Sequence, residues 1–312
     1  MKKLVGIIEA QQFDKETIEM IFALADEMQK TPKESHYLLR GKIMATFFYE
    51  ASTRTRLSFE SAMHRLGGSV ISTENAREFS SVSKGETLED SIRIIDAYAD
   101  VIVLRYDKEG GALRAQNFSK VPVINAGDGP GQHPTQALLD LYTIRKEFGV
   151  LDGLKIAMIG DLANGRTVRS LCYFLAKHFS KNEIIFVSPE QVKMKNDIKE
   201  YLDVHQVNWR ETDDFNEAIS VADVFYQTRV QKERFEDTPE IYEQVMESGK
   251  KLIIDQGKVQ KMKETAIVMH PFPRVNELSY SVDKDPRARY FEQAENGLYV
   301  RMALLKMILF GY

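Results

Sequence analysis

The chain has 312 residues, a length that suits two domains better than one core. Hydrophobic residues make up 43% and charged residues 28%, as in ordinary globular proteins, and a net charge of -4 gives no reason to expect nucleic acid as a partner. The single cysteine, Cys172, excludes an intrachain disulfide or a cysteine-rich zinc site and fits a reducing, cytoplasmic setting.

Near the N-terminus, Lys2-Lys3 is followed by only a few apolar residues before Glu9, which does not read as a signal peptide. Asp14 to Lys30 predicts a helix with Ile18, Ile21, Ala25 and Met28 on one stripe, ended by Thr31-Pro32. Ile43 to Tyr49 is an apolar, aromatic run expected to form a buried strand. A helix follows, with Phe59, Ala62, Met63 and Leu66 at helical spacing and Gly67-Gly68 as its stop. The joint is Ser52-Thr53-Arg54-Thr55-Arg56. The first N–H groups of a helix lack internal partners and carry the positive end of the dipole, so this joint suits an anion, phosphate above all. Either Ser52 or Thr53 could instead merely cap the helix, but a cap needs one oxygen and this turn offers three, with two arginines beside them.

Ser69 to Ser72 predicts a second strand, and the polar stretch Glu74 to Glu86, without periodicity, a loop. Thr87 to Tyr98 reads as a helix and Asp100 to Arg105 as a strand, which puts Arg105 at a carboxyl end, where open α/β sheets place ligand groups. A short helix over Gly110 to Phe118 and a strand over Val121 to Asn125 come next. Ala126 to Gln136 then forms a glycine-rich, flexible turn that delivers His133 and Gln136 to a helix from Pro134 to about Phe148. The spacing of Gly127, Gly129 and Gly131 does not match a dinucleotide fingerprint.

Gly149 to Gly153 is the expected domain boundary. Beyond it, strands are expected at Leu154–Gly160, Glu183–Val187, Val207–Glu211, Asp223–Thr228, Lys251–Asp255 and Ala266–Met269. The fold class is therefore α/β: two doubly wound domains with mainly parallel sheets, joined by a linking helix. The divisions are 1–149 and 150–287, with a C-terminal helix over 288–312 packing back on the first domain. Its apolar part, Leu298 to Phe310, is broken by Arg301 and Lys306 and is too short and charged to span a bilayer. Cys172 lies in an apolar helical run and reads as a packed thiol, not a nucleophile. His36, His64, His178 and His205 occur singly, so no metal and no other cofactor is expected. Arg166 and Arg229 both follow strands, and two guanidinium forks suit a dicarboxylate.

The segment Phe-Tyr-Glu-Ala-Ser-Thr-Arg-Thr-Arg over 48–56 resembles the carbamoyl phosphate signature of the aspartate/ornithine carbamoyltransferase family, and the likeness extends over nearly the whole chain. It implies that Ser52, Thr53 and Arg54 hold the phosphate, with Arg54 neutralising the leaving group. Thr55, Arg105 and His133 would donate to the carbonyl oxygen, and Gln136 would orient the carbamoyl amide. Ser80-Ser-Val-Ser-Lys84-Gly-Glu resembles the family's mobile loop, through which Ser80 and Lys84 serve a neighbouring subunit's site. Arg166, Arg229 and Gln231 would take the two carboxylates of aspartate. Ornithine-type members carry a His-Cys-Leu-Pro segment where this chain has His270-Pro-Phe-Pro-Arg274, so the acceptor expected is L-aspartate. Phe272 and Pro273 would contribute backbone carbonyls, with Phe272 in place of the leucine of the best-known aspartate members. A glutamate matching Glu50 bridges, in the closed form of relatives, to arginines matching Arg166 and Arg234.

The reaction implied is direct carbamoyl transfer from carbamoyl phosphate to the amino group of L-aspartate, giving N-carbamoyl-L-aspartate and phosphate in pyrimidine biosynthesis. The alternatives are transfer to another amine, such as ornithine, or an inactive ligand-binding subunit. The resemblance further implies a homotrimer with shared sites and leaves a separate regulatory chain open.

Overall fold

The structure is a computed structural model and describes residues 4–30 and 34–311. The chain divides into two compact units, one of residues 1–142 with 294–312, the other of residues 143–293.

In the first unit, α1 (Lys15–Lys30) buries Ile18, Ile21, Phe22, Ala25 and Met28. Each of the large ones contributes about 1.5–3 kcal/mol by leaving water. The expected Thr31-Pro32 stop lies outside the described residues. Then come β1 (Ile43–Phe48), α2 (Thr53–Arg65) and β2 (Ser69–Glu74). The stop after α2 depends on Gly67, whose φ of 83° belongs to the left-handed region. A Cβ there would sit 1.9 Å from the His36 carbonyl oxygen.

The polar stretch after β2 differs from the expected loop, because local hydrogen bonds wind it into two single turns. These are α3 (Ala76–Phe79) and a 3₁₀ turn over Ser81–Lys84. Asn75 donates to Glu78, and the Ser80 hydroxyl accepts from the Val82 N–H and so caps the second turn. The unit continues with α4 (Leu88–Ile95), β3 (Val101–Tyr106), α5 (Gly111–Phe118), β4 (Val123–Asp128) and α6 (Pro134–Phe148).

Its sheet is parallel, in the order β2-β1-β3-β4. Strand β4, nearly all of β1 and the first four residues of β3 are buried, whereas the edge strand β2 is mostly open. Successive strands run outward from β1 on one side and from β3 on the other, so the switch point lies between β1 and β3.

The second unit begins with β5 (Lys155–Ile159), α7 (Arg166–His178), β6 (Glu183–Val187), α8 (Asn196–Val204) and β7 (Asn208–Thr212). It continues through α9 (Asn216–Ile219), β8 (Val224–Gln227), α10 (Pro239–Gly249), α11 (Gln256–Val259) and β9 (Ile267–Met269). The order is β7-β6-β5-β8-β9, all parallel, with the switch point between β5 and β8.

The strand expected over Lys251–Asp255 does not form. Lys250–Leu252 is a 3₁₀ turn, and only Ile254 makes a bridge, to Leu278. Leu252 and Ile254 are apolar because they fill the core of this unit, not because they pair in its sheet. Cys172 is buried on α7 beside Met158, and burial pushes its thiol pKa up, as a packed thiol requires.

The last helix, α12 (Tyr290–Leu309), begins eight residues before the apolar run that signalled it. From Ala294 onward it belongs to the first unit, as the expected packing back requires. It is buried nearly all round there, Arg301 included. Among the described residues no helix is long and apolar enough to cross a membrane.

Candidate active site

The N-terminus of α2 follows β1 directly, at the switch point of the first sheet. Ser52 occupies the N-cap position, yet its side chain caps nothing: its hydroxyl accepts from Arg105 Nη1 at 3.3 Å. The leading N–H groups of α2 are thus left without a side-chain cap, as an anion site requires. Arg105, near the end of β3, also donates through Nε to Glu50 Oε2 at 3.2 Å. Thr55 Oγ1 and His133 Nε2 lie 3.4 Å apart, both buried. One cluster therefore joins Glu50, Ser52 and Arg105 from the two strands at the switch point, and a second pair joins α2 to the turn after β4.

The arginines of the signature part company. Arg54 is exposed at the first turn. Arg56 donates to Glu60 at 3.2 Å and to Glu74 at 2.8 Å, and Glu74 in turn accepts from the Ser52 N–H. Arg56 therefore braces the joint, a role that the anion argument had merged with that of Arg54.

The glycine-rich turn is shorter and firmer than the sequence suggests, since β4 runs on to Asp128. The Asp128 carboxylate accepts from the Gln132 N–H at 2.7 Å and from the Gly110 N–H at 3.1 Å. That bracing delivers His133 to the start of α6. Gln136, one turn on, donates its Nε2 to Asp140 Oδ1 at 2.9 Å.

Ser80 and Lys84 stand apart. Among the described residues no hydrogen bond or ion pair joins either to this cluster; Lys84 is exposed, and Ser80 is engaged in its own turn.

In the second unit, Arg166 opens α7 after β5 and Arg229 follows β8, so both come from the strands that flank its switch point. Gln231 Nε2 donates to the Asn164 carbonyl at 3.3 Å and ties the two loops together. The loop before Arg166 is shaped by Asp161, which accepts from the Asn164 N–H and side-chain amide at 3.1 Å. Burial pushes the Asp161 carboxyl up in pKa against these hydrogen bonds.

Phe272 and Pro273 follow β9. Phe272 has a φ of 56°, unusual for a bulky residue, and the 272–273 peptide bond is cis. His270 supports this turn: its Nδ1 accepts from the Phe272 N–H at 2.8 Å, and its Nε2 lies 2.8 Å from Glu277 Oε1. With Nδ1 accepting, Nε2 is the nitrogen that donates to Glu277. Burial pushes the Glu277 carboxyl up, but the His270 hydrogen bond, the field of that ring and the backbone N–H groups of Val275 and Glu277 together outweigh it and hold the carboxyl below the usual range. Arg274 pairs with Asp283 and stacks 4.1 Å from the Tyr280 ring centre, with Tyr290 at 5.3 Å. Sequence reasoning missed these supports. His270 and Arg274 flank the Pro-Phe-Pro turn, but their partners lie downstream, Glu277 in irregular chain and Asp283 in a short 3₁₀ helix.

The arrangement defines a class: an α/β protein of two parallel-sheet units, with an anion-ready helix start beside polar donors at one switch point and paired arginines at the other. Residues 6–146 match the family described as aspartate/ornithine carbamoyltransferase, carbamoyl-P binding domain, and residues 152–308 its Asp/Orn binding domain. The chain belongs to the aspartate/ornithine carbamoyltransferase family. It is 57% identical to aspartate carbamoyltransferase 1, chloroplastic, of Pisum sativum, over 99% of this chain and 80% of that one. With the aspartate carbamoyltransferase catalytic subunit of Clostridium novyi (strain NT) it shares 47% identity, over 97% of each chain. A crystal structure of aspartate transcarbamoylase from Trypanosoma cruzi, in complex with carbamoyl phosphate and aspartate, superposes with a TM-score of 0.93 at 41% identity, covering 98% of this chain and 97% of that one.

Proposed function

We infer that this protein is an aspartate carbamoyltransferase: it transfers the carbamoyl group of carbamoyl phosphate to the amino group of L-aspartate, yielding N-carbamoyl-L-aspartate and phosphate, a step of pyrimidine biosynthesis. The observation that carries this reading is the placement of Ser52 and Arg105 at the uncapped start of α2, with Thr55 against His133.

In this reading Ser52, Thr53, Arg54 and the leading N–H groups of α2 bind the phosphate, and Arg54 stabilises it as it leaves. The amine attacks the carbonyl carbon, a tetrahedral centre forms, and its oxygen gains negative charge. Thr55, Arg105 and His133 donate to that oxygen, each worth roughly 3 kcal/mol by analogy with the loss of a single oxyanion-hole donor. Gln136 and the carbonyls of Phe272 and Pro273 accept from the carbamoyl amide. Arg166, Arg229 and Gln231 bind the two carboxylates of the acceptor, and two-point pairing by permanently charged forks selects a dicarboxylate over a cationic side chain. No protein nucleophile is used, because positioning alone supplies on the order of 7–11 kcal/mol.

Ser80 and Lys84 act on the site of a neighbouring copy in a homotrimer, a reading supported by their separation from the Arg105 cluster within their own chain. The cytoplasm is the compartment proposed, on the strength of one buried, unreactive thiol; the Pisum sativum relative is named chloroplastic. The test is turnover of carbamoyl phosphate by the purified chain, with L-aspartate and L-ornithine offered separately. Product from L-aspartate alone is expected. Product from ornithine would overturn the assignment of Arg166 and Arg229, and product from neither would favour an inactive ligand-binding subunit.

A further inference from the structure

Gln136 and Asp140 lie four residues apart on α6 and so share a face of the helix. The Gln136 amide is half-buried and donates its Nε2 to Asp140 Oδ1 at 2.9 Å. Asp140 is fully buried, and a carboxylate out of water needs a compensating charge. A buried cation stands on the neighbouring segment of α12. Arg301 is buried too, donates Nη1 to Ser58 Oγ at 2.9 Å, lies 5.1 Å from the Phe59 ring centre, and feels the field of Asp140. Burial lowers the pKa of Arg301 to about 10, which still leaves it charged at neutral pH. The helix makes room for it at Gly297, where a Cβ would stand 2.6 Å from Arg301 Nη1 and 2.9 Å from Leu139 Cδ2.

An arginine desolvated this completely is costly unless it does something for the fold or the site. The donor and acceptor inventory suggests what. A glutamine amide has nearly the same shape either way round, and only its partners decide which end points where. An ionised carboxylate accepts and never donates, so Asp140 holds the NH2 of Gln136 and leaves Oε1 as the end that meets a ligand. A carbamoyl –NH2 is a donor and needs that acceptor. With a residue at 140 that can also donate, the amide can turn over and set NH2 against NH2.

We propose that Asp140 and Arg301 are positioning residues for carbamoyl transfer, a buried carboxylate on α6 and a buried guanidinium on α12 that together fix the amide of Gln136 with its oxygen toward the carbamoyl group. The proposal rests on the reading of Gln136 given above. It concerns recognition of the carbamoyl amide and not of the phosphate, and that separates it from a purely structural role.

The experiment measures equilibrium binding of two probes to the full-length protein: phosphonoacetamide, which carries both phosphonate and amide, and inorganic phosphate, which lacks the amide. Asp140→Asn is expected to weaken phosphonoacetamide about tenfold, what one misdirected hydrogen bond costs, and to leave inorganic phosphate within about twofold. Arg301→Met should give the same selective loss, and Arg301→Lys, which keeps the cation, should recover most of it. These two also decide the matter if Asp140→Asn does not fold. Equal weakening of both probes, or of neither, overturns the proposal. In Gln136→Ala the preference for phosphonoacetamide should already be gone, with no further effect of Asp140→Asn. If that preference persists in Gln136→Ala, it is the assignment of Gln136 that fails, and the positioning role falls with it.

Discussion

Replacing Arg105 by alanine tests the centre of the proposed mechanism. Its side chain is only 17% exposed, and its directed contacts include Glu50 Oε2 at 3.2 Å and Ser52 Oγ at 3.3 Å. If it donates to the developing oxyanion, its loss raises the barrier by about 2.7–4 kcal/mol, or roughly 100- to 1000-fold in kcat. The ion pair with Glu50, whose side chain is 31% exposed, adds only about 1 kcal/mol to stability once solvent screening is counted. Arg105→Ala should therefore lose about 300-fold in kcat while its urea unfolding free energy falls by about 1 kcal/mol. Arg105→Lys keeps the charge but not the two-point reach, and is expected to fall between. Steady-state carbamoylation of L-aspartate and urea titration, read on the same preparations, give both numbers. A kcat within about tenfold of the parent would remove Arg105 from the oxyanion site. A stability loss above about 4 kcal/mol would recast it as a structural residue.

Two further outcomes are expected. Gly67→Ala puts a Cβ 1.9 Å from a backbone oxygen at a φ of 83° and should cost at least about 3 kcal/mol in urea unfolding. Gly149→Ala, at a φ of 72° with open space around it, should cost only about 1 kcal/mol; equal losses would refute the steric argument. Asp285 accepts from Arg287 and from Gln256, and the Arg287 guanidinium above all holds its carboxyl down to about 2 in pKa. Because the folded value lies below the unfolded one, this stabilisation is present at neutral pH and is lost as pH falls toward 2. Asp285→Asn should thus cost about 1–2 kcal/mol at pH 7, a difference that closes in acid; one that stayed constant down to pH 3 would contradict the linkage.

The sequence disclosed most of the cluster because chemistry and geometry coincide locally. Ser52 and Thr55 sit at the start of a helix and Arg105 near the end of a strand, elements that their own residues specify, and the Pro134 helix start places His133. The supporting contacts were hidden because they join residues 7 to 18 apart at spacings that belong to no regular element. His270 meets Glu277, Arg274 meets Asp283, and Arg56 meets Glu74, and no periodicity announces such pairs. Lys251–Asp255 misled for a related reason: burial was legible in Leu252 and Ile254, but pairing was not. The turns of residues 76–84 were missed because single-turn elements rest on caps, not on a repeating pattern.

Helix α12 has a consequence for how the protein is made. The first unit is discontinuous in sequence, with residues 143–293 intervening before Ala294 supplies its last segment. At about 5–20 residues per second of synthesis, that segment is made roughly 8 to 30 seconds after the rest of its unit. The N-terminal unit waits, with the sites to be filled by Val300, Leu304 and Ile308 still open, while the later unit already has every strand it needs. The order of completion is the reverse of the order of translation.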